Sequence, residues 1–349
     1  MSVSKPLISI IILNYNAGEL LLNCVESVFK TNYDNIEVIV VDNTSKDQSH
    51  LKCKERFEQI HLIENKKNFG YCEGNNVGIR QAKGDFVVIL NPDTIVSPNW
   101  LTELLFAYKK FGDGLYQPKI LSLYESNVIQ STGNMLHLFG FGFARDKGIP
   151  DNNQRDKIEP IGYASGTCLF TSAKILKQVG FLDSFLFLYH DDLDLGWRAA
   201  QIGIKSFYVP NSVIYHAESY SLKWSSKKFF WLERNRRYCL LTHYSKDTYK
   251  KMLPSLILVE IMVWLFYLSK GFLGAKIRAE LDIIKNKNQI KNKYKEIESR
   301  KIVSDKELIK IFPDKIFVPK NVSGGIGSKI FNSILSSSSK RAKRSILSR

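Results

Sequence analysis

Three carboxylates in four residues, Asp191, Asp192 and Asp194, stand where the aromatic run "FLFLY" meets a helical pattern carried by Leu193, Leu195, Trp197, Ala200 and Ile202. Negative charge there favours a helix N-terminus. Crowding and an apolar approach also raise carboxylate pKa values, which would equip one of these acids as a general base. A second acid, Asp93, ends the apolar run "GDFVVILNPD". One such carboxylate is enough to anchor Mg²⁺ or Mn²⁺ on a diphosphate, and it fits equally in a turn with Pro92. Asp42, in "VVDNTSKD", also has two readings: an Asx-turn, or an acceptor for a nucleotide base or ribose. His216 closes "KSFYVPNSVIYH", either as a hydrogen-bonded structural histidine or as a neutral metal ligand.

The elements that must position these groups alternate in period. "LISIIIL" reads as a buried strand, and "AGELLLNCVESVFK" repeats Leu20, Leu21, Cys24, Val25 and Val28 at helical spacing. "NIEVIVVDN" and "GDFVVILN" are further strands without a polar face, so βα units and a mostly parallel sheet covered on both sides are expected. Ligands of open α/β sheets sit beyond the carboxyl ends of the strands. Three strands here end in polar groups: Asn14, Tyr15 and Asn16; Asp42, Asn43 and Thr44; Asn91, Pro92 and Asp93. In a parallel sheet these converge on one edge. Between them, "NFGYCEGNNVGIRQAKGD" combines Asn68, Gly70 and Asn76 in a segment where backbone can approach a nucleotide closely. It does not directly follow a strand, which argues against a dinucleotide fingerprint. "SPNWLTEL" predicts a helix capped by Ser97 with Pro98 at its first position.

With 349 residues the chain has room for about two domains. Its 44% hydrophobic content excludes wholesale disorder. The formal charge of +16 is uneven: residues 271–349 hold 19 Lys or Arg against 7 Asp or Glu, an excess of 12. That charge lies outside the α/β core and no nucleic-acid motif accompanies it, so nucleic acid is not expected as a partner. Cys24, Cys53, Cys72, Cys168 and Cys239 form no C-x-x-C pair, which points to a reducing compartment rather than a disulfide or zinc framework. The run Leu7–Leu13 reads as a strand and not as a signal peptide.

In their order, "SIIILNYN", "VIVVDNTSKD", "NFGYCEGNNVGI", "GDFVVILNPDT", "ASGTCLFTSAKILKQVGFLDSFLFLYHDDLDLGWRAAQIG" and "VIYHAES" resemble the inverting, GT-A fold glycosyltransferases of family 2, over residues 7 to 245 and most closely the rhamnosyltransferase-like branch. The resemblance implies a nucleotide-diphosphate sugar donor, with dTDP-rhamnose first and UDP-hexoses next, and a glycan acceptor that is lipid-linked or an oligosaccharide. It implies that Asp42 contacts the nucleotide and that Asp93 binds the divalent cation on the donor. Asp192 would be the base, matching the second acid of the family's Glu-Asp pair, with Asp191 where Glu is common. His216 would assist the metal or the diphosphate. Asn91 replaces the first acid of a D-x-D motif, leaving a single carboxylate there. A non-catalytic sugar-binding protein on the same fold is the alternative.

Three parts are expected: a catalytic domain over 1–220, a basic, aromatic and apolar helical segment over 221–275, and a basic tail over 276–349. "RNRRY" (234–238) could face an acidic acceptor, a membrane surface or plain solvent. The 18 residues between Lys251 and Lys270 are apolar except for Glu260, short for a span and costly at their centre. Monotopic insertion at the cytoplasmic face of the membrane, or a buried membrane-facing helix, is favoured over a single span. The tail, ending "SSSSKRAKRSILSR", reads as a helix followed by a flexible end that anionic lipid or solvent could hold.

Overall fold

Runs of Ile and Val with no polar interruption have no face to offer solvent, and each becomes a strand buried on both sides. In chain order the strands are β1 (Ile8–Asn14), β2 (Ile36–Asp42), β3 (His61–Glu64), β4 (Phe86–Leu90), β5 (Thr94–Val96), β6 (Gly114–Ser122), β7 (Ile129–Ser131), β8 (Asn134–Leu136), β9 (Gly142–Ala144), β10 (Glu159–Ile161), β11 (Cys168–Ser172) and β12 (Lys205–His216). The first helices are α1 (Glu19–Phe29), α2 (Ser49–Arg56), α3 (Gly70–Gln81), α4 (Trp100–Phe111), α5 (Ala173–Val179) and α6 (Asp191–Gln201). The computed structural model describes residues 5–218, 225–317 and 326–348. Ser219 of "HAES", Lys223 and Trp224 of the basic-aromatic stretch, and residues 318–325 and Arg349 of the tail lie outside the described residues.

The chain divides into two compact units: Met1–Asn134 with Ala144–Gly196 and Ile204–Ser219, and Met135–Phe143 with Trp197–Gly203 and Tyr220–Arg349. In the first, one sheet runs β10-β12-β6-β11-β4-β1-β2-β3, with β5 added on β12 and β7 on β6. The long ladders are parallel: β1 with β2 and β4, β2 with β3, and β6 with β12. Antiparallel pairing belongs to the shorter strands β5, β7, β10 and β11. Register places Asn14 beside Asp42, and His216 beside Thr94 on one side and Ser122 on the other. The polar strand ends therefore do share an edge.

Apolar side chains of β1, β2 and β4 meet Leu21, Cys24, Val25 and Val28 of α1 and Trp100, Leu101 and Leu104 of α4 in one core. Entry into α4 differs from expectation. Asn99, not Ser97, occupies the N-cap, and it makes no side-chain capping bond. The Ser97 N–H is committed to the Val213 carbonyl (3.1 Å), which extends the β5–β12 pairing and delays the helix to Trp100.

The second unit holds α7 (Ser226–His243), α8 (Lys246–Ser269), α9 (Leu273–Lys285), α10 (Lys287–Arg300), α11 (Asp305–Ile311) and α12 (Ile326–Leu347). Arg234, Asn235, Arg236 and Tyr238 of "RNRRY" face neither acceptor, lipid nor solvent, because they are buried. Arg236 bonds Glu233 (2.7 Å) and Glu260 (2.5 Å), and the fully buried Lys276 bonds Glu233 (2.5 Å), Glu260 (3.0 Å) and Glu280 (2.7 Å). Glu260 thus points into a cation-rich interior of α7, α8 and α9. Helix α8 is long and apolar enough to cross a membrane by length and composition. The expected flexible end is instead helical, with Ser336, Ser338, Ser339 and Ala342 turned inward on α12.

Candidate active site

At the ends of β1 and β2, Asp42 is almost wholly enclosed, at 2% exposure. Its Oδ1 accepts from Asn14 Nδ2 (2.8 Å) and lies 3.3 Å from His50 Nδ1, while its Oδ2 accepts from the Ser45 N–H (2.8 Å). Asn16, with φ +54°, accepts from the Lys46 N–H through Oδ1 (2.7 Å). Asp42 and the fully buried Asn14, whose Nδ2 also reaches Ser45 Oγ (3.0 Å) and Ser49 Oγ (2.9 Å), therefore tie two strand ends to the turn at 45–49, and only Asn16 of the two asparagines is exposed there.

Asn68, Gly70 and Asn76 serve the neighbouring segment. Asn68 Oδ1 accepts from the Gly70 N–H (2.8 Å), and Asn76 exchanges two bonds with the Leu182 backbone (2.8 and 3.1 Å). Gly70, at φ +78°, lies so close to Phe187 that a Cβ would come 2.5 Å from its ring. The next residue, Tyr71, donates its N–H to the Phe187 carbonyl (2.6 Å). The grip has a reason: Phe187, Tyr189 and His190 all carry positive φ, between +60° and +68°, immediately before Asp191. Each such residue costs on the order of 1–2 kcal/mol of backbone strain. The start of α3 holds in place the strained loop that delivers the acidic pair.

Asp192 opens α6 partly exposed, its Oδ1 accepting from the Leu193 N–H (2.8 Å) and its Oδ2 from the Gly166 N–H (3.1 Å). Asp191 beside it is buried. Burial pushes both carboxyls upward, Asp191 well above the ordinary range, with the charge of Asp192 adding to its shift. Tyr71 donates its hydroxyl to the Gly166 carbonyl (2.6 Å), and burial followed by the charge of Asp191 holds that phenol well above its usual value. A Cβ on Gly166 would meet Asp191 Oδ2 and the Tyr71 hydroxyl, each at 3.1 Å. The segment carrying Gly166 also reaches the other acid, since the Asn91 N–H donates to the Thr167 carbonyl (3.0 Å).

There, Asp93 Oδ1 lies 3.2 Å from His216 Nε2, with the aspartate 5% exposed. The other ring nitrogen of His216 meets Gln130 Oε1 (2.7 Å). Asn91 Oδ1 is buried and has no hydrogen-bond partner. A hard divalent cation with ligands at about 2.0–2.1 Å in octahedral geometry separates adjacent donor atoms by about 3 Å. The spacing of Asp93 and His216 fits that demand, and a buried, unpartnered amide oxygen close by in sequence fits it too. A second acidic group, Glu233, Glu260 and Glu280, gathers its oxygens within 4.8 Å, but Lys276 and Arg236 already neutralise it.

A model of glycosyl transferase family 2 matches residues 9–180, which include Asn14, Asp42, Asn91 and Asp93 and end before Asp191, Asp192 and His216. The chain belongs to glycosyltransferase family 2. It is 28% identical over 204 residues to the low-salt glycan biosynthesis hexosyltransferase Agl10 of Haloferax volcanii, covering 56% of this chain and 62% of that one. It is 25% identical over 234 residues to the N-acetylglucosaminyl-diphospho-decaprenol L-rhamnosyltransferase of Mycobacterium tuberculosis, covering 61% and 76%. Among solved structures, GalNAc-T7 with UDP, GalNAc and Mn²⁺ aligns at TM-score 0.59 and 17% identity over 72% of this chain and 51% of that one. S. aureus TarS 1–349 in complex with UDP-GlcNAc aligns at TM-score 0.53 and 14% identity over 97% and 91%. These likenesses establish the GT-A fold.

Within this family 2 domain, the sequence hid three contributors. Gln130 sits between buried Ile129 and Ser131 on β7, where alternation marks it as a solvent-side residue. Tyr71 and Gly166 carry no spacing signal, because their role arises from a contact between residues 95 apart in sequence.

Proposed function

We propose that the chain transfers a hexosyl group, with inversion, from a nucleotide-diphosphate sugar to a hydroxyl of a glycan acceptor. The observation that carries this reading is the junction at Gly166–Thr167, which bonds Asp192 on one side and the Asn91–Asp93 corner on the other. Asn16 and the turn that Asn14 and Asp42 hold from beneath would receive the nucleoside. Asp93 and His216, with the Asn91 amide oxygen, would hold a divalent cation, Mg²⁺ or Mn²⁺, which when bound offsets the charge of the donor diphosphate. Asp192 is the base. The residue is partly exposed, its carboxylate is fixed by two backbone N–H groups, and a pKa raised by desolvation makes it a stronger base than an ordinary aspartate for the acceptor's hydroxyl proton. The acceptor oxygen then forms its bond to the anomeric carbon as the bond to the nucleoside diphosphate breaks on the opposite face. Burial favours the neutral form of Asp191, which lessens the like charge beside Asp192.

A dTDP-deoxysugar such as dTDP-rhamnose is the preferred donor because of the mycobacterial rhamnosyltransferase relative, whose name also gives a sugar on a diphospho-decaprenol lipid as acceptor. A lipid-linked acceptor calls for attachment at the membrane, on its cytoplasmic face. The exposed residues of α8 between Leu253 and Leu268 are all apolar: Leu253, Pro254, Ile257, Leu258, Ile261, Leu265, Phe266 and Leu268. Because Glu260 is engaged by Arg236 and Lys276, this face supports monotopic seating rather than a lone span. In this reading residues 1–220 do the chemistry, 221–275 seat the enzyme, and the basic tail over 276–349 adds attraction to anionic lipid. Incubation with a panel of nucleotide sugars, a lipid-linked acceptor and Mn²⁺ or Mg²⁺ tests it. Acceptor-dependent nucleotide release that chelation abolishes is expected, and silence across the panel counts against the activity.

A further inference from the structure

We infer that Gln130 is the positioning residue that makes His216 a cation ligand, by dictating which ring nitrogen carries the proton. This rests on the proposed cation site at Asp93 and His216. Gln130 grips one residue twice: its Nε2 donates to the His216 carbonyl (2.8 Å), and its Oε1 faces His216 Nδ1 (2.7 Å). The first bond decides the second. A carbonyl oxygen can only accept, so the amide end facing it must be the NH₂. The end facing the ring is then the amide oxygen, which also only accepts, so Nδ1 must carry hydrogen. In the neutral ring Nε2 is left bare, with its lone pair directed at Asp93 Oδ1 from 3.2 Å. Two lone pairs facing each other repel, and a shared cation turns that repulsion into two bonds.

The sheet keeps the grip in register. His216 pairs with Thr94 of β5 and Ser122 of β6, and the Leu123 N–H donates to the same His216 carbonyl (3.0 Å). The backbone of His216 is thereby set by three strands. Gln130, reaching over from β7, sets the ring. A partner on the far nitrogen of a ligating histidine fixes its tautomer and orientation, and its loss typically weakens metal binding by about 10- to 100-fold.

Mn²⁺ alone is titrated into the full-length chain and into Gln130→Leu, Gln130→Glu and Asp93→Asn, with bound metal read by calorimetry and electron paramagnetic resonance. Gln130→Leu should bind Mn²⁺ about 10- to 100-fold more weakly while still unfolding in a single cooperative melt. Gln130→Glu, which keeps an acceptor against Nδ1 but loses the donor to the His216 carbonyl, should recover part of the affinity. If Gln130→Leu binds as tightly as the unaltered chain while Asp93→Asn does not, Gln130 has no such role. If Asp93→Asn also binds normally, the cation site itself is wrong. Should the leucine variant fail to fold, long-range ¹H–¹⁵N spectra of the unaltered, metal-free chain at mildly alkaline pH decide. Protonated Nδ1 with bare Nε2 on His216 is expected, and the opposite tautomer overturns the inference.

Discussion

Asp191→Asn and Asp192→Asn should behave oppositely although the residues are adjacent. Asn at 192 has one acceptor oxygen where the carboxylate offers two, so either the Leu193 or the Gly166 N–H loses its partner. That costs about 1 kcal/mol of stability, partly returned because a carboxylate whose pKa desolvation raises has been removed. The catalytic loss is larger. A general base contributes about 10²- to 10⁴-fold, which is about 2.7–5.4 kcal/mol of barrier. Asn at 191 imitates the protonated acid that burial enforces, so turnover should stay within about threefold and the acid limb of the pH–rate profile should not move, since no charge is lost at 191. The assay is steady-state nucleotide release with each variant, alongside donor binding by calorimetry. Asp192→Asn should lose kcat by at least about 100-fold with donor affinity retained. Full turnover in Asp192→Asn, or loss of turnover only in Asp191→Asn, refutes the assignment.

Four more outcomes follow from named contacts. Because the folded state raises the Asp191 pKa above its unfolded value near 3.8, the unfolded chain releases that proton first and stability falls as pH rises above that value; Asp191→Asn should therefore raise the melting temperature at pH 7 but not near pH 3.5, and an equal shift at both would contradict the burial reading. Gly70→Ala, which drives a Cβ to 2.5 Å from the Phe187 ring at φ +78°, should destabilise by about 1–2 kcal/mol or more in a denaturant titration and lower kcat, because the strained loop before Asp191 loses its clamp. Lys276→Met should cost about 3–5 kcal/mol in the same titration by leaving Glu233, Glu260 and Glu280 short of a buried cation, and a near-neutral effect would reduce the network to mere proximity. Ile257→Asp with Ile261→Asp should abolish sedimentation with anionic vesicles, whereas 1 M salt should release the unaltered chain only partly; complete release by salt would move attachment from the apolar face to the basic tail.

The strand edge is legible because β1 and β2 announce themselves twice, by an unbroken apolar run and by the polar residue that ends it, while β4 has the run with Asn91 and Asp93 just beyond it. β1, β2 and β12 end on Asn14, Asp42 and His216, and β4 ends on Leu90 one residue before Asn91. β3 was not foreseen, because His61–Glu64 is four residues long with both ends exposed. Ser97 was misread since its local pattern is that of a cap, while pairing with Val213 across more than 100 residues takes precedence. The "RNRRY" stretch misleads for a similar reason: charge reads as solvation until Glu233 and Glu260 are seen to neutralise it inside the fold. Asn68, Gly70 and Asn76 suit close backbone approach to a nucleotide, but the neighbour that Gly70 meets is the Phe187 loop, and Asn68 and Asn76 bond protein backbone.

The central claim is that one strand edge holds a cation-bound donor at Asp93 and His216 within reach of Asp192. Anomalous diffraction from crystals of the full-length chain grown with Mn²⁺ and a nucleoside diphosphate tests it directly. A manganese peak bonded to Asp93 Oδ1 and His216 Nε2, with the diphosphate on its open side facing Asp192, is the predicted result. A peak among Glu233, Glu260 and Glu280, or a diphosphate bound away from that corner, would contradict the account.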